Sequence, residues 1–307
     1  MQGSLIRDEV EVHRRYSRPL RSKPFISVAI PSSTTSDAKT LREQTLKIGY
    51  IGRAAAVFRV EEVFVYSDGE GDLELIYSVL RYLEVPPYLK KALVPLSPKL
   101  MYVGVVPPLK APHHVPPEVF GTKYRDGVVV ERYEDRCVVD IGLEKKGIVR
   151  DKSCPPQGSR VAVRIVGESA SHYIVKLVDR DTIDIYWGYR VEVFNSLKQL
   201  LQHLRDRGYT IIVATKKGMP IYEIEENLAA NLRQRERVAL VFGGAYLDVD
   251  EIVAEEGLSL DSYADYAVNF IPRQGSVNVR TEEAVIACLA IMNYIKEKAL
   301  KSAGSSG

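Results

Sequence analysis

The sequence predicts an α/β protein, a parallel sheet covered by helices and interrupted by a small β-barrel. Three observations carry that reading. The first and last parts of the chain alternate short apolar runs with segments of helical periodicity. The middle part has short alternating runs with no long helix between them. A proline-rich stretch, residues 86–118, separates the two patterns.

Taken in order, residues 1–24 are a polar, arginine-rich arm carrying Arg7, Arg14, Arg15, Arg18, Arg21 and Lys23. The run 25-FISVAIP-31 reads as a strand buried on both faces. Residues 38–59 place Leu41, Thr45, Ile48, Ala55 and Phe58 at helical spacing. Strand 61–67, a turn at Asp68-Gly69-Glu70-Gly71 and helix 72–84 follow, and Pro86-Pro87 stops that helix. Five short strands are expected at 127–133, 136–142, 145–150, 159–168 and 171–179. They suggest a barrel of the OB type, with an SH3-like or other β insert as the alternative.

Past Asp184 the α/β rhythm returns: strand 186–195, helix 196–208, strand 209–217, helix 221–235, strand 237–242, helix 248–256, strand 266–271 and a long helix from about 280 to 300. Ser196 and Thr281 stand where N-caps belong and Gly208 where a C-cap glycine belongs. The expected organisation is therefore an arm (1–24), a discontinuous α/β domain (25–110 and 185–300), an OB-like insert (111–184) and a tail (301–307).

Composition excludes several function classes. Apolar residues make up 46% of the 307, an ordinary globular share. The net charge is +2, so a basic surface, if present, is local. Cys137, Cys154 and Cys288 are odd in number and form no CxxC pair. Neither a zinc site nor a disulfide is expected, and reduced, buried thiols fit a cytoplasmic protein. The pair His113-His114 alone does not make a metal site, and none is expected. No apolar run approaches the roughly 20 residues that span a bilayer, and no secretory h-region opens the chain. A dinucleotide-binding GxGxxG and a P-loop are both missing.

The chemistry concentrates at strand ends. In 266-YAVNFIPRQGSVNVRTEEA-284 and 238-VALVFGG-244 an apolar strand stops in a glycine-containing loop. Loops at the carboxyl ends of parallel strands are where α/β sheets bind ligands, and glycines let a ligand approach the backbone. The string Ile-Pro-x-Gln-Gly-x-Val-Asn-Val, the Phe-Gly strand end and the segment 49-GYIGRAAAVFRVEEVFV-65 resemble three motifs of the SPOUT methyltransferases. The inserted barrel resembles the archaeal and eukaryotic subgroup of that class.

The resemblance implies S-adenosylmethionine as cofactor, RNA as substrate, a C-terminal trefoil knot and a homodimer packed through it. It also implies a cofactor site built from Thr215, Gly218, Phe242, Gly243, Gly244, Ile271, Pro272, Gln274, Gly275, Val277, Val279 and Thr281. For catalysis it points to Arg53, Asn278, Arg280 and Glu283, with Arg53 and Arg280 anchoring RNA. Glu283 is the available carboxylate, although a first-turn glutamate also simply complements a helix dipole. On the barrel and arm, Arg14, Arg15, Lys123, Arg125, Arg132, Tyr133, Lys145 and Lys146 are candidates for RNA contact. The expected function is methylation of ribosomal or transfer RNA. The alternative is an inactive RNA-binding or ribosome-assembly factor that works through the OB-like insert.

Overall fold

The computed structural model describes residues 17–244 and 246–304, so Arg14 and Arg15 lie outside the described residues. The described residues divide into two compact units: Ser22–Leu83, Ser97–Pro108 and the described residues from Tyr189 to 304 form one, while residues 17–21, Glu84–Leu96 and Leu109–Gly188 form the other.

The α/β unit is built on six strands: β1 (Phe25–Pro31), β2 (Glu62–Tyr66), β8 (Arg190–Phe194), β9 (Thr210–Pro220), β10 (Arg237–Phe242) and β11 (Tyr266–Asn269). Their order is β11-β9-β10-β1-β2-β8, and every neighbouring pair is parallel. Every residue of β2 is buried, as continuous apolar runs require in a sheet covered on both faces. Helices α1 (Leu41–Val57), α2 (Leu73–Glu84), α3 (Leu197–Asp206), α4 (Ile221–Leu232), α5 (Val249–Glu255) and α6 (Thr281–Gly304) connect or follow the strands. Thr40 and Glu43 form a capping box at the start of α1, and Ser196 caps α3 through the Gln199 amide. One core joins Phe64, Leu200, Leu204, Ile211, Val241 and Ile252.

Two features differ from expectation in this unit. Helix α6 continues to Gly304, through residues expected to be tail. Strand β9 is longer than expected and is broken by a bulge. Its pairing with β11 jumps from Val213↔Ala267 to Met219↔Val268, so residues 214–218 have no partner on β11, although Ala214 still pairs with Phe242 of β10.

The second unit holds a closed barrel of β3 (Tyr124–Arg132), β4 (Cys137–Asp140), β5 (Gly147–Val149), β6 (Arg160–Glu168) and β7 (Tyr173–Val178). The order is β3-β4-β5-β7-β6, with β5 and β7 parallel and the other pairs antiparallel, which is an OB-like closure. The expectation of free thiols fails here. Cys137 and Cys154 form a disulfide in the barrel core, with Cα atoms 6.1 Å apart. Spacing in sequence could not show this, because barrel closure sets the distance between the two residues. Cys288 alone remains a free, buried thiol, and burial pushes its pKa up.

The proline-rich stretch is folded as well. It forms a series of short 3-10 turns, and residues 84–96 pack against β3 through Val85, Leu89 and Val128. Glu84 is buried and bonded to Arg160 at 2.6 and 3.0 Å, with Arg180 at 3.2 Å. His113 is fully buried beside the same carboxylate at 3.3 Å. Among the described residues no cluster of metal-ligating side chains occurs.

Candidate cofactor and active site

Strands β9, β10 and β11 are neighbours, and the loops at their carboxyl ends meet around a cavity of about 280 Å³. The β9 bulge contributes Ala214, Thr215, Lys216 and Lys217; the β10 end contributes Phe242, Gly243 and Gly244. From β11 and its loop come Val268, Asn269, Phe270, Ile271, Gln274, Asn278 and Val279, and Thr281, Ala284 and Cys288 close the wall from α6. Three loops separated by tens of residues in sequence thus form one site, as the carboxyl edge of a parallel sheet favours.

Short polar contacts fix the walls. Thr215 Oγ1 donates to Asp248 Oδ2 at 2.6 Å. Asp248 also caps α5, with Glu251 completing a capping box. Thr281 Oγ1 reaches the Gly243 carbonyl at 3.4 Å and so ties the β10 end to α6. Asn269 donates to the Lys216 carbonyl at 3.1 Å, joining β11 to the bulge. Gln274 Nε2 donates to the carbonyls of Ser276 and Val277, each at 3.0 Å, so this side chain folds its own loop. In that loop Arg273 adopts a left-handed backbone (φ 57°), which non-glycine residues rarely do.

Nine expected site residues line the cavity: Thr215, Phe242, Gly243, Gly244, Ile271, Gln274, Asn278, Val279 and Thr281. Gly218, Pro272, Gly275 and Val277 do not. A Cβ on Gly218 would lie 2.5 Å from the Ala267 carbonyl carbon and the Val268 nitrogen, so this glycine serves the β9–β11 contact. Val277 points outward, 87% exposed.

Glu283 accepts the Arg280 amide at 3.0 Å and acts as a cap for α6. Arg280 is exposed, with Nε 3.7 Å from Asp37 Oδ2. Arg53 lies near the C-terminal end of α1, the end that leads into β2, and is not part of the cavity wall. Lys47, one helical turn and a half earlier, is buried between Asp37 and Glu282.

Tyr246, Leu247, Asp248 and Glu251 also line the cavity, although sequence reading did not single them out. The spacing Asp248-x-x-Glu251 is a capping-box signature and was the available signal.

On the barrel, Arg132, Tyr133 and Lys146 are exposed, and the Arg136 guanidinium stacks 4.6 Å over the Tyr133 ring. Lys123 is exposed too, while Lys145 is tied to Glu168 at 2.5 Å and the Ser169 carbonyl at 3.0 Å. Arg125, expected on an RNA-contacting face, is interior instead. It donates to the Ile141 carbonyl at 2.9 Å and stacks 4.0 Å over Tyr88, which makes it part of the unit's packing.

The chain is similar to several known proteins. A family model described as "Putative RNA methyltransferase" matches residues 25–292. A 28S rRNA (uridine-N(3))-methyltransferase of Drosophila melanogaster is 32% identical over 87% of this chain and 61% of its own length, so this chain spans less than two thirds of that relative. The Homo sapiens protein of the same description is 30% identical over 89% of this chain and 79% of its own. An uncharacterized protein of Haloarcula marismortui is 34% identical over 87% of this chain and 98% of its own. The SpoU methyltransferase AviRb of Streptomyces viridochromogenes, solved in complex with AdoMet, aligns over 91% of this chain and 61% of its own at 11% identity. The TM-score of that alignment is 0.38. With the family model spanning most of the residues, both strand-end loops included, the chain belongs to this "Putative RNA methyltransferase" family.

Proposed function

We propose that the protein transfers a methyl group from S-adenosylmethionine to a uridine ring nitrogen of ribosomal RNA. The cavity walled by the β9, β10 and β11 loops carries this reading. Its donor set suits the cofactor: Phe242, Val268, Phe270, Ile271 and Val279 offer apolar faces for a purine, and the strand-end backbone can read a base edge. Thr215, Asp248, Glu251 and Asn278 offer polar and anionic partners for a ribose and a cationic centre. Bound there, the cofactor supplies an electrophilic methyl group with a good leaving group. The protein's share is then alignment, exclusion of water and acceptance of a proton. The uridine assignment draws on the descriptions of the fruit-fly and human relatives.

Arg53 is not among the residues that line this cavity, and the resemblance implies a site completed by a second copy of the chain. We therefore propose a homodimer in which Arg53 of each copy serves the neighbouring site. Replacing Arg53 by alanine is expected to abolish methylation and leave cofactor affinity near normal.

The deciding experiment is titration calorimetry with S-adenosylmethionine, followed by methyl transfer to in vitro transcribed large-subunit ribosomal RNA and nucleoside mass spectrometry. Binding plus appearance of 3-methyluridine supports the proposal. RNA binding without cofactor binding would favour the assembly-factor reading, in which the exposed Arg132, Tyr133 and Lys146 carry the function.

A further inference from the structure

The loop after β1 and the turn after β2 form a polar rim beside the cavity, and none of the motifs above includes it. Ser33 Oγ donates to Asp68 Oδ2, and the Ser33 amide donates to Oδ1 at 3.0 Å. Ser32 Oγ lies 2.9 Å from Asp68 Oδ1. The turn is held rigidly against this loop. Gly71 has a φ of +77°, and a Cβ there would lie 2.0 Å from the Ser32 carbonyl oxygen. The rim touches the cavity wall directly: a Cβ on Gly244 would lie 2.2 Å from Ser33 Oγ and 3.0 Å from Asp68 Oδ2. The same loop continues to Ser36, whose carbonyl is 3.4 Å from the Tyr246 hydroxyl, and to Asp37 beside Arg280.

The carboxylates around the cavity differ in what holds them. Glu251 and Glu283 are held by backbone amides at helix starts, and Asp248 by the Val249 amide on Oδ1 and the Thr215 hydroxyl on Oδ2. Asp68 is half-buried, and among the described residues no cation lies within ion-pair distance of it. On Oδ2 its partner is the Ser33 hydroxyl, whose hydrogen can rotate away. A carboxylate so placed is oriented and still able to take a proton.

We infer that Asp68, oriented by Ser33, accepts the proton of the target base; this rests on the proposed methyl transfer to a uridine nitrogen. At neutral pH the ring nitrogen of an imide keeps its hydrogen and is a poor nucleophile. As the nitrogen–hydrogen bond breaks, the proton passes to Asp68 Oδ2. The freed nitrogen pair forms the bond to the methyl carbon, and the carbon–sulfur bond breaks with its pair left on sulfur, which becomes neutral. Ser33 acts as a positioning residue, and the missing side chain of Gly244 lets the pair sit directly against the cavity wall.

The test compares wild type, D68N and S33A across pH 6–9 on large-subunit ribosomal RNA transcribed in vitro. Cofactor affinity is read by calorimetry and RNA affinity by fluorescence anisotropy. D68N is expected to lower turnover about 10²-fold at pH 7 while both affinities change less than about twofold. Its deficit should shrink by about tenfold per pH unit as the imide ionises unaided. S33A should lose about tenfold and keep the wild-type pH profile, which tests the pair even if D68N folds poorly. A D68N deficit equal at every pH, or D68N turnover like wild type, overturns the inference alone. A wild-type protein that binds no S-adenosylmethionine overturns the methyltransferase reading and this inference with it.

Discussion

Thr215 Oγ1 and Asp248 Oδ2, 2.6 Å apart, join the β9 bulge to the first turn of α5 across the cavity. The bond puts a residue that has no partner on β11 against a helix cap, and is one of the contacts that fix the cavity wall. Replacing Thr215 by valine keeps the shape and removes the donor, leaving the carboxylate short of a partner at a cost of about 1.5–3 kcal/mol. Binding of S-adenosylmethionine to T215V is expected to weaken about tenfold by calorimetry. Affinity equal to wild type would show that this bond does not organise the site.

Gly218 is expected to matter for stability before it matters for ligand. A methyl group there meets the β11 backbone at 2.5 Å, which cannot move away as a side chain could. G218A should cost about 1–3 kcal/mol and lower the melting temperature of the α/β unit. A melting curve that superimposes on wild type would contradict the tight contact.

The disulfide closes a loop of 17 residues within the barrel core. By loop-closure entropy C137S should destabilise the barrel by about 3 kcal/mol. Cofactor affinity should not change, because neither cysteine lies at the cavity. Denaturant titration with a probe in each unit separates the two effects.

Acid should act on the barrel unit through two buried groups. Burial pushes the Glu84 carboxyl up, but Arg160, Arg180 and His113 more than offset this and hold it well below the ordinary range. Burial, together with the neighbouring His113, pushes the His114 imidazole down to about 3. Below about 6.5 the unfolded His114 therefore binds a proton that the folded one refuses. Below about 4.5 the unfolded Glu84 does the same. Both effects make stability fall as pH falls. Chemical denaturation between pH 7 and 4 should show this decline, and H114N should flatten the part between 6.5 and 4.5. E84Q removes the carboxylate shared by Arg160 and Arg180, leaving Arg160 only Asp126 as counter-charge, and should cost about 3–5 kcal/mol at pH 7.

Legibility differed by residue for physical reasons. Leu240-Val241-Phe242 and Val28-Ala29-Ile30 announce buried parallel strands, because strands covered on both faces need unbroken apolar runs. Thr215, Gly243, Asn278 and Thr281 were legible as site residues because strand-end loops carry an α/β protein's chemistry. Tyr246, Asp248 and Glu251 were missed because their part in the wall comes from a loop doubling back, with Gly244 donating to the Leu247 carbonyl at 2.9 Å. Arg125 was misplaced because period alone does not distinguish a charged residue on a barrel face from one buried against Tyr88.

The sequence by itself determined which segments are strands and helices, that a small barrel interrupts the sheet, and which loops carry the chemistry. Those properties are local, written in residue spacing and in cap and turn residues. Tertiary structure alone decided that Cys137 bonds Cys154, that Arg53 stays out of the cavity and that Ser33 and Asp68 stand beside Gly244. Those are distances between residues far apart in the chain, and only the packed sheet and barrel set them.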